Sequence, residues 1–160
     1  MTKMKKVLDR VLLSLSSLLL ILMVVLSLWQ VISRYVLNIS SPGTEELTRY
    51  LLIWFGLMTA AYVFGANKHI AILFIREKFK GKIQLLLEKL SDLLIILTAA
   101  ILMVYGGIKI VMLTYSQMAA ATGLSMGFVY ASLPVSGVFI ILYTIHSMAT
   151  NKLSDREVGL

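Results

Sequence analysis

The sequence predicts an all-α membrane protein with four transmembrane helices, a cytoplasmic-side amphipathic interfacial helix, and both termini in the cytoplasm. Three observations predict it. Of the 160 residues, 59% are hydrophobic and only 14% are charged, far from the balance of a soluble domain. The apolar residues fall in blocks long enough to cross a bilayer. The lysines and arginines gather in alternate connecting segments, which fixes an orientation.

The first span is about residues 11–33. Lys3, Lys5, Lys6 and Arg10 precede it, and Val11 to Ser33 then carries no charge over 23 residues. A helix of that length reaches about 35 Å, enough for a hydrocarbon core of about 30 Å. The run is longer than a signal peptide's apolar region and ends in no small-x-small cleavage site, so it reads as a retained span. The second span is about residues 47–66, the third about 93–113 and the fourth about 127–148. Pro134 lies in the first turns of the fourth, where a missing N–H is tolerated. Span pairs do not repeat one another, so the 160 residues read as a single membrane domain, not an inverted repeat.

Orientation follows from the connections. The first ten residues hold four bases, the segment from Asn67 to Asp92 six, and the tail two (Lys152 and Arg156), so 12 of 15 bases lie on one side. The segment from Thr114 to Met126 has no charge. The positive-inside rule therefore places both termini and the middle connection in the cytoplasm. In a soluble protein, a net charge of +7 would suggest nucleic acid. Here its placement speaks of topology, and no nucleic-acid partner is expected.

The middle connection, about residues 70–90, has its own order. Ile72, Ile75, Phe79, Ile83, Leu86 and Leu90 step by three and four, a helical stripe. Arg76, Lys78, Lys80 and Lys82 lie between them. Such a helix rests in the membrane interface with its bases near anionic headgroups. The same stripe also fits a cytoplasmic extension of span three.

The stretch "SPGTEELTRYLLIWFGLMTAAY" sets Glu45, Glu46 and Arg49 at the threshold of span two. Ser41 or Thr44 suits an N-cap and Pro42 a first turn. The two glutamates meet the positive end of the helix dipole. Arg49 follows Glu45 by four and Glu46 by three, so the three share one face. With Arg34 at the end of span one, they make an outer cluster that needs no catalytic role.

The absences exclude function classes. Without cysteine there is no disulfide, thiolate nucleophile or Cys-based metal site, and His69 and His146 stand apart. The middle of each span lacks Asp, Glu, Lys, Arg and His, whereas a proton-coupled carrier needs a titratable group there. A stand-alone carrier of the small multidrug type is the alternative, but it would want a glutamate inside span one. Small residues point to helix packing instead: Gly56 with Ala60, Gly65 with Ala61, and the Gly106-Gly107 pair. Trp29, Tyr35 and Trp54 suit the outer interface.

Residues 34 to 72, "RYVLNISSPGTEELTRYLLIWFGLMTAAYVFGANKHIAI", resemble the signature of the small membrane subunit of TRAP transporters, the DctQ/SiaQ family. The matching positions are Arg34-Tyr35, Pro42, Glu45-Glu46-Leu47, Arg49-Tyr50 and His69-Ile70. Gly43 stands where the family often has an aromatic, Gly65-Ala66-Asn67 where it often has Arg-x-Gly, and Ile72 where an acid is common. The resemblance implies a partner and not a carrier. A much larger membrane subunit would hold substrate and sodium and move as an elevator, and an extracytoplasmic binding protein would deliver a carboxylate such as sialic acid or a C4-dicarboxylate. This chain would brace the large subunit in a bacterial inner membrane, with no catalytic residue, metal or cofactor of its own. Arg34, Tyr35, Glu45, Glu46, Arg49, Tyr50 and His69 would form its structural or interface cluster.

Overall fold

The computed structural model describes residues 3–65 and 82–158. The helices are α1 (Lys3–Tyr35), α2 (Pro42–Gly65), α3 (Lys82–Thr98), α4 (Gly106–Thr114), α5 (Met126–Tyr130) and α6 (Ser132–Val158). A π-helical stretch, Ala99–Tyr105, joins α3 to α4 without a break. Four runs are long and apolar enough to cross a membrane: Lys5–Tyr35, Pro42–Phe64, Lys89–Thr114 and Met126–Met148. The described residues contain no strand, only one isolated bridge between Met118 and Ser125. The chain is thus all-α, with four helices of spanning length.

Helix ends lie beyond the apolar runs because hydropathy marks lipid while helix geometry continues until something stops it. α1 begins among the N-terminal lysines and runs on with no Gly or Pro, the two residues that disfavour a helix interior most. It stops after Tyr35, and Asn38 turns the chain with φ 53°, a left-handed conformation that asparagine tolerates better than most residues. Ser33 then ties the turn, with its hydroxyl donating to the Ile39 carbonyl (2.9 Å) and its own carbonyl accepting from Ile39 N–H (3.0 Å). α2 starts at Pro42, whose missing N–H is no loss in a first turn. The fourth run is broken at Ala131, and Pro134 three residues on explains why: it has no N–H to offer the Tyr130 carbonyl.

α1 packs chiefly on α2, α2 also on α6, and α6 on the π-helical stretch. Along α1 the buried or half-buried positions include Leu12, Ser16, Leu19, Met23, Leu26, Gln30 and Ser33, alternating steps of four and three. That is the seam of a coiled coil. Leu12, Met58, Ala61, Ala99, Ile140 and Tyr143 meet in one cluster to which all four spans contribute. Gly107 and Gly137 let the third and fourth spans approach. A Cβ on Gly107 would lie 2.8 Å from Pro134 Cδ, and one on Gly137 2.8 Å from Met103 Cβ. Gly56 is different: a Cβ there would meet nothing within 4 Å, so its expected packing role does not operate between the described helices.

Two long-range contacts fix the ends of the bundle. The Tyr143 hydroxyl donates to Asp9 Oδ1 at 2.8 Å, bringing the start of α1 beside the late part of α6. At the opposite end, Glu46 holds Ala121 and Thr122. The termini therefore share one end, and the connections 36–41 and 115–125 share the other. Residues 82–90 of the expected interfacial segment belong to α3 and run on into the third span. Residues 70–81, with His69, Arg76, Lys78 and Lys80, lie outside the described residues.

Candidate functional site

The site builds from the first turns of α2. The Ser41 carbonyl accepts from the N–H groups of Thr44 (3.1 Å) and Glu45 (3.4 Å) and from the Thr44 hydroxyl (2.9 Å), so Ser41 stands at the cap position. From α1, Gln30 Nε2 donates to the Thr44 carbonyl at 2.9 Å and to Thr48 Oγ1 at 2.7 Å. The Thr48 hydroxyl in turn donates to the Thr44 carbonyl at 2.8 Å. A side-chain amide on a mostly apolar seam fixes the register of two helices, because any slip leaves its donors unpaired.

Glu46, Tyr50 and Trp54 are four residues apart and share a face. Each meets the 115–131 region in succession. Glu46 Oε2 accepts from Ala121 N–H (3.1 Å), Thr122 N–H (2.8 Å) and the Thr122 hydroxyl (2.9 Å). The buried Tyr50 hydroxyl reaches Met126 Sδ at 3.5 Å, and Tyr50 clusters with Ala119 and Val129. The Trp54 ring lies 5.6 Å from that of Phe128, tilted by 32°.

The 115–125 connection is itself ordered by backbone pairing. Ala119 N–H donates to Leu124 (2.8 Å), Gly123 N–H to Ala119 (3.0 Å) and Met126 N–H to Gln117 (2.9 Å). Gly123 takes φ +67°, where a side chain would be strained. Ser125 caps α5: its oxygen accepts from Gly127 N–H at 3.2 Å while its hydroxyl donates to the Tyr115 carbonyl at 2.6 Å. Glu46 thus docks a preformed hairpin-like loop onto α2. With three donors on one oxygen, this carboxylate is an anchor.

The expected site residues separate. Glu46 and Tyr50 turn inward to the loop. Glu45, Arg49 and Arg34 are exposed, and Tyr35 is 76% exposed. His69, Arg76, Lys78 and Lys80 fall outside the described residues, and Lys82 opens α3. Spacing paired the glutamates with Arg49, four and three residues along the same helix, and missed the loop 75 residues away. Gln30, Thr122 and Asp9 were also passed over. The one signal for Gln30 was a lone amide inside a charge-free apolar run. Among the described residues, no three His, Cys, Asp or Glu side chains come together as a metal group.

Four helices of spanning length, an α1–α2 seam pinned by an amide, and a loop held by Glu46 define a multi-pass membrane protein. Residues 3–152 match the family of tripartite ATP-independent periplasmic transporters, DctQ component. The chain belongs to that family, and the resemblance read from residues 34–72 holds along nearly its whole length. It is 30% identical over 118 residues to the sialic acid TRAP transporter small permease protein SiaQ of Vibrio cholerae, covering 71% of this chain and 65% of that one. Two Haemophilus influenzae chains described as TRAP transporter small permease proteins are also similar. One is 26% identical, covering 74% of this chain and 73% of its own; the other is 29% identical, covering 89% and 88%.

Proposed function

We propose that this chain is the scaffold subunit of a sodium-coupled TRAP transporter. It braces a large elevator-type membrane subunit, and an extracytoplasmic binding protein delivers the substrate. The observation that carries this reading is the family match over residues 3–152. Of the five buried serine and threonine residues among those described, Ser33, Ser132, Ser136 and Thr144 donate their hydroxyls to backbone carbonyls within seven residues of themselves and are committed to the fold, while Ser16 Oγ has no hydrogen-bond partner. The sequence places no titratable group at the middle of a span, which leaves sodium and substrate to the large subunit.

In this reading both termini and residues 66–81 face the cytoplasm of a bacterial inner membrane, where Arg76, Lys78, Lys80 and Lys82 meet anionic lipid headgroups. Glu46 and Tyr50 keep the extracytoplasmic loop in shape. Exposed Arg34, Tyr35, Glu45 and Arg49, with His69, serve as contact residues. The substrate is a carboxylate, with sialic acid favoured over a C4-dicarboxylate by the similarity to the Vibrio cholerae protein. The test is co-reconstitution with the large subunit and binding protein. Sodium-driven sialic acid uptake should require all three components, and full uptake by the large subunit and binding protein without this chain would overturn the scaffold reading.

A further inference from the structure

Lys109 sits in a place that the bundle alone does not account for. It lies five residues before the end of the Lys89–Thr114 span, about 7.5 Å in from that end. A run of 26 residues is about 39 Å long and exceeds a hydrocarbon core of about 30 Å by roughly 9 Å. Shared between both ends, that surplus puts the Lys109 backbone about 3 Å inside the apolar zone.

The side chain then goes the wrong way for rescue by water. Helix side chains tilt toward the N-terminus of their own helix, and for this span the N-terminus is at the far side of the membrane. The Lys109 ammonium accordingly lies over the Tyr105 ring, 4.7 Å from its centroid, one turn deeper. Arg49 shows the contrast. It is set well into α2, but that helix runs antiparallel, so the same tilt carries its guanidinium outward to the headgroups.

Lys109 also faces out of this chain. It is exposed, and Tyr105 is 59% exposed. Leu102, Tyr105, Lys109 and Met112 follow one another at steps of three, four and three on one outward face, with Leu102 66% and Met112 73% exposed. Directly beneath is the π-helical stretch Ala99–Tyr105, and π-helical insertions frequently mark functional sites. Charged side chains inside a membrane turn toward protein and are paired there. A cation–π contact of an exposed pair offsets only part of the desolvation.

We propose that the outward face of the third span around Tyr105 and Lys109 docks a transmembrane helix of the large subunit, which presents a carboxylate near the depth of Tyr105 to pair with the Lys109 ammonium. The identity of the partner rests on the reading under Proposed function. The direction of the side chain favours a protein carboxylate over a lipid phosphate, because phosphates lie toward the near end of the helix and the ammonium points away from it.

The test co-expresses the two membrane subunits with an affinity tag on the large one. The unsubstituted pair should co-purify; if it does not, the partner reading falls and this inference with it. Given that co-purification, Lys109→Met should lower recovery of the small chain roughly tenfold or more, as loss of one member of a desolvated ion pair does, and Lys109→Arg should restore most of it. A photoreactive benzophenone side chain replacing Met112 leaves the lysine in place and should cross-link to the large subunit. Full recovery of Lys109→Met, or a Met112 probe that labels phospholipid alone, would overturn the proposed surface while leaving the scaffold reading intact.

Discussion

At the scale of single residues, the weight falls on polar groups that join distant parts of the chain. Glu46 accepts three hydrogen bonds from Ala121 and Thr122, two of them from backbone N–H groups that no substitution short of proline removes. Glu46→Ala should therefore free those amides, and hydrogen exchange at residues 121–122 should accelerate by roughly tenfold. Thr122→Val removes only the hydroxyl donor and should give a smaller increase. Unchanged exchange in Glu46→Ala would show that the backbone pairing of residues 117–126 holds the loop unaided. At the other end of the bundle, Tyr143→Phe loses the 2.8 Å bond to Asp9. It should lower stability in detergent by about 1 kcal/mol, as read from the thermal midpoint. Gln30→Leu should cost a similar amount, about 1 kcal/mol, because interhelical hydrogen bonds in membranes are individually modest.

At the scale of elements, glycine positions separate packing within the chain from packing beyond it. Gly137→Ala would press a Cβ to 2.8 Å from Met103 Cβ, and Gly107→Ala to 2.8 Å from Pro134 Cδ. Neither neighbour yields easily: one is a β-carbon and the other part of a proline ring. Each substitution should cost about 1–3 kcal/mol by overpacking. Gly56→Ala meets nothing within 4 Å and should leave the isolated chain's thermal midpoint unchanged or slightly raised, since alanine is the better helix former. A loss of stability in Gly56→Ala equal to that in Gly137→Ala would contradict this packing.

The element scale also shows what could be read from sequence. The four spans were legible because a bilayer demands long uncharged runs, and Val11–Ser33 is unmistakable on that count. The inner seam of α1 was not, because Leu13, Leu18, Leu20 and Leu22, equally apolar, face outward. The π-helical stretch was not legible, since "AAILMVY" contains no residue that signals it. In the fold it is the stretch against which Gly137 packs, at Met103 and Val104. The site was half legible. Composition and dipole placed Glu45 and Glu46 at the start of α2, and the family motif singled out Tyr50. That Glu46 and Tyr50 face a loop while Glu45 and Arg49 face outward depends on the rotation of α2 against α1 and α5. Helical spacing reports neighbours three and four residues away and is silent about residue 122.

At the scale of the whole molecule, the described helices present many aliphatic side chains outward. Val24, Val25 and Leu28 on α1, Leu93, Leu94 and Leu97 on α3, and Val138, Leu142 and Ile145 on α6 are all exposed. Such faces suit lipid tails or the flanks of a larger membrane protein. In the scaffold reading proposed above, this chain supports transport without conducting it. The most direct measurement is uptake by the purified chain alone in sealed liposomes under an inward sodium gradient. Sialic acid and C4-dicarboxylate entry should be indistinguishable from that in empty liposomes, whereas saturable, sodium-dependent entry through this chain by itself would overturn the scaffold reading.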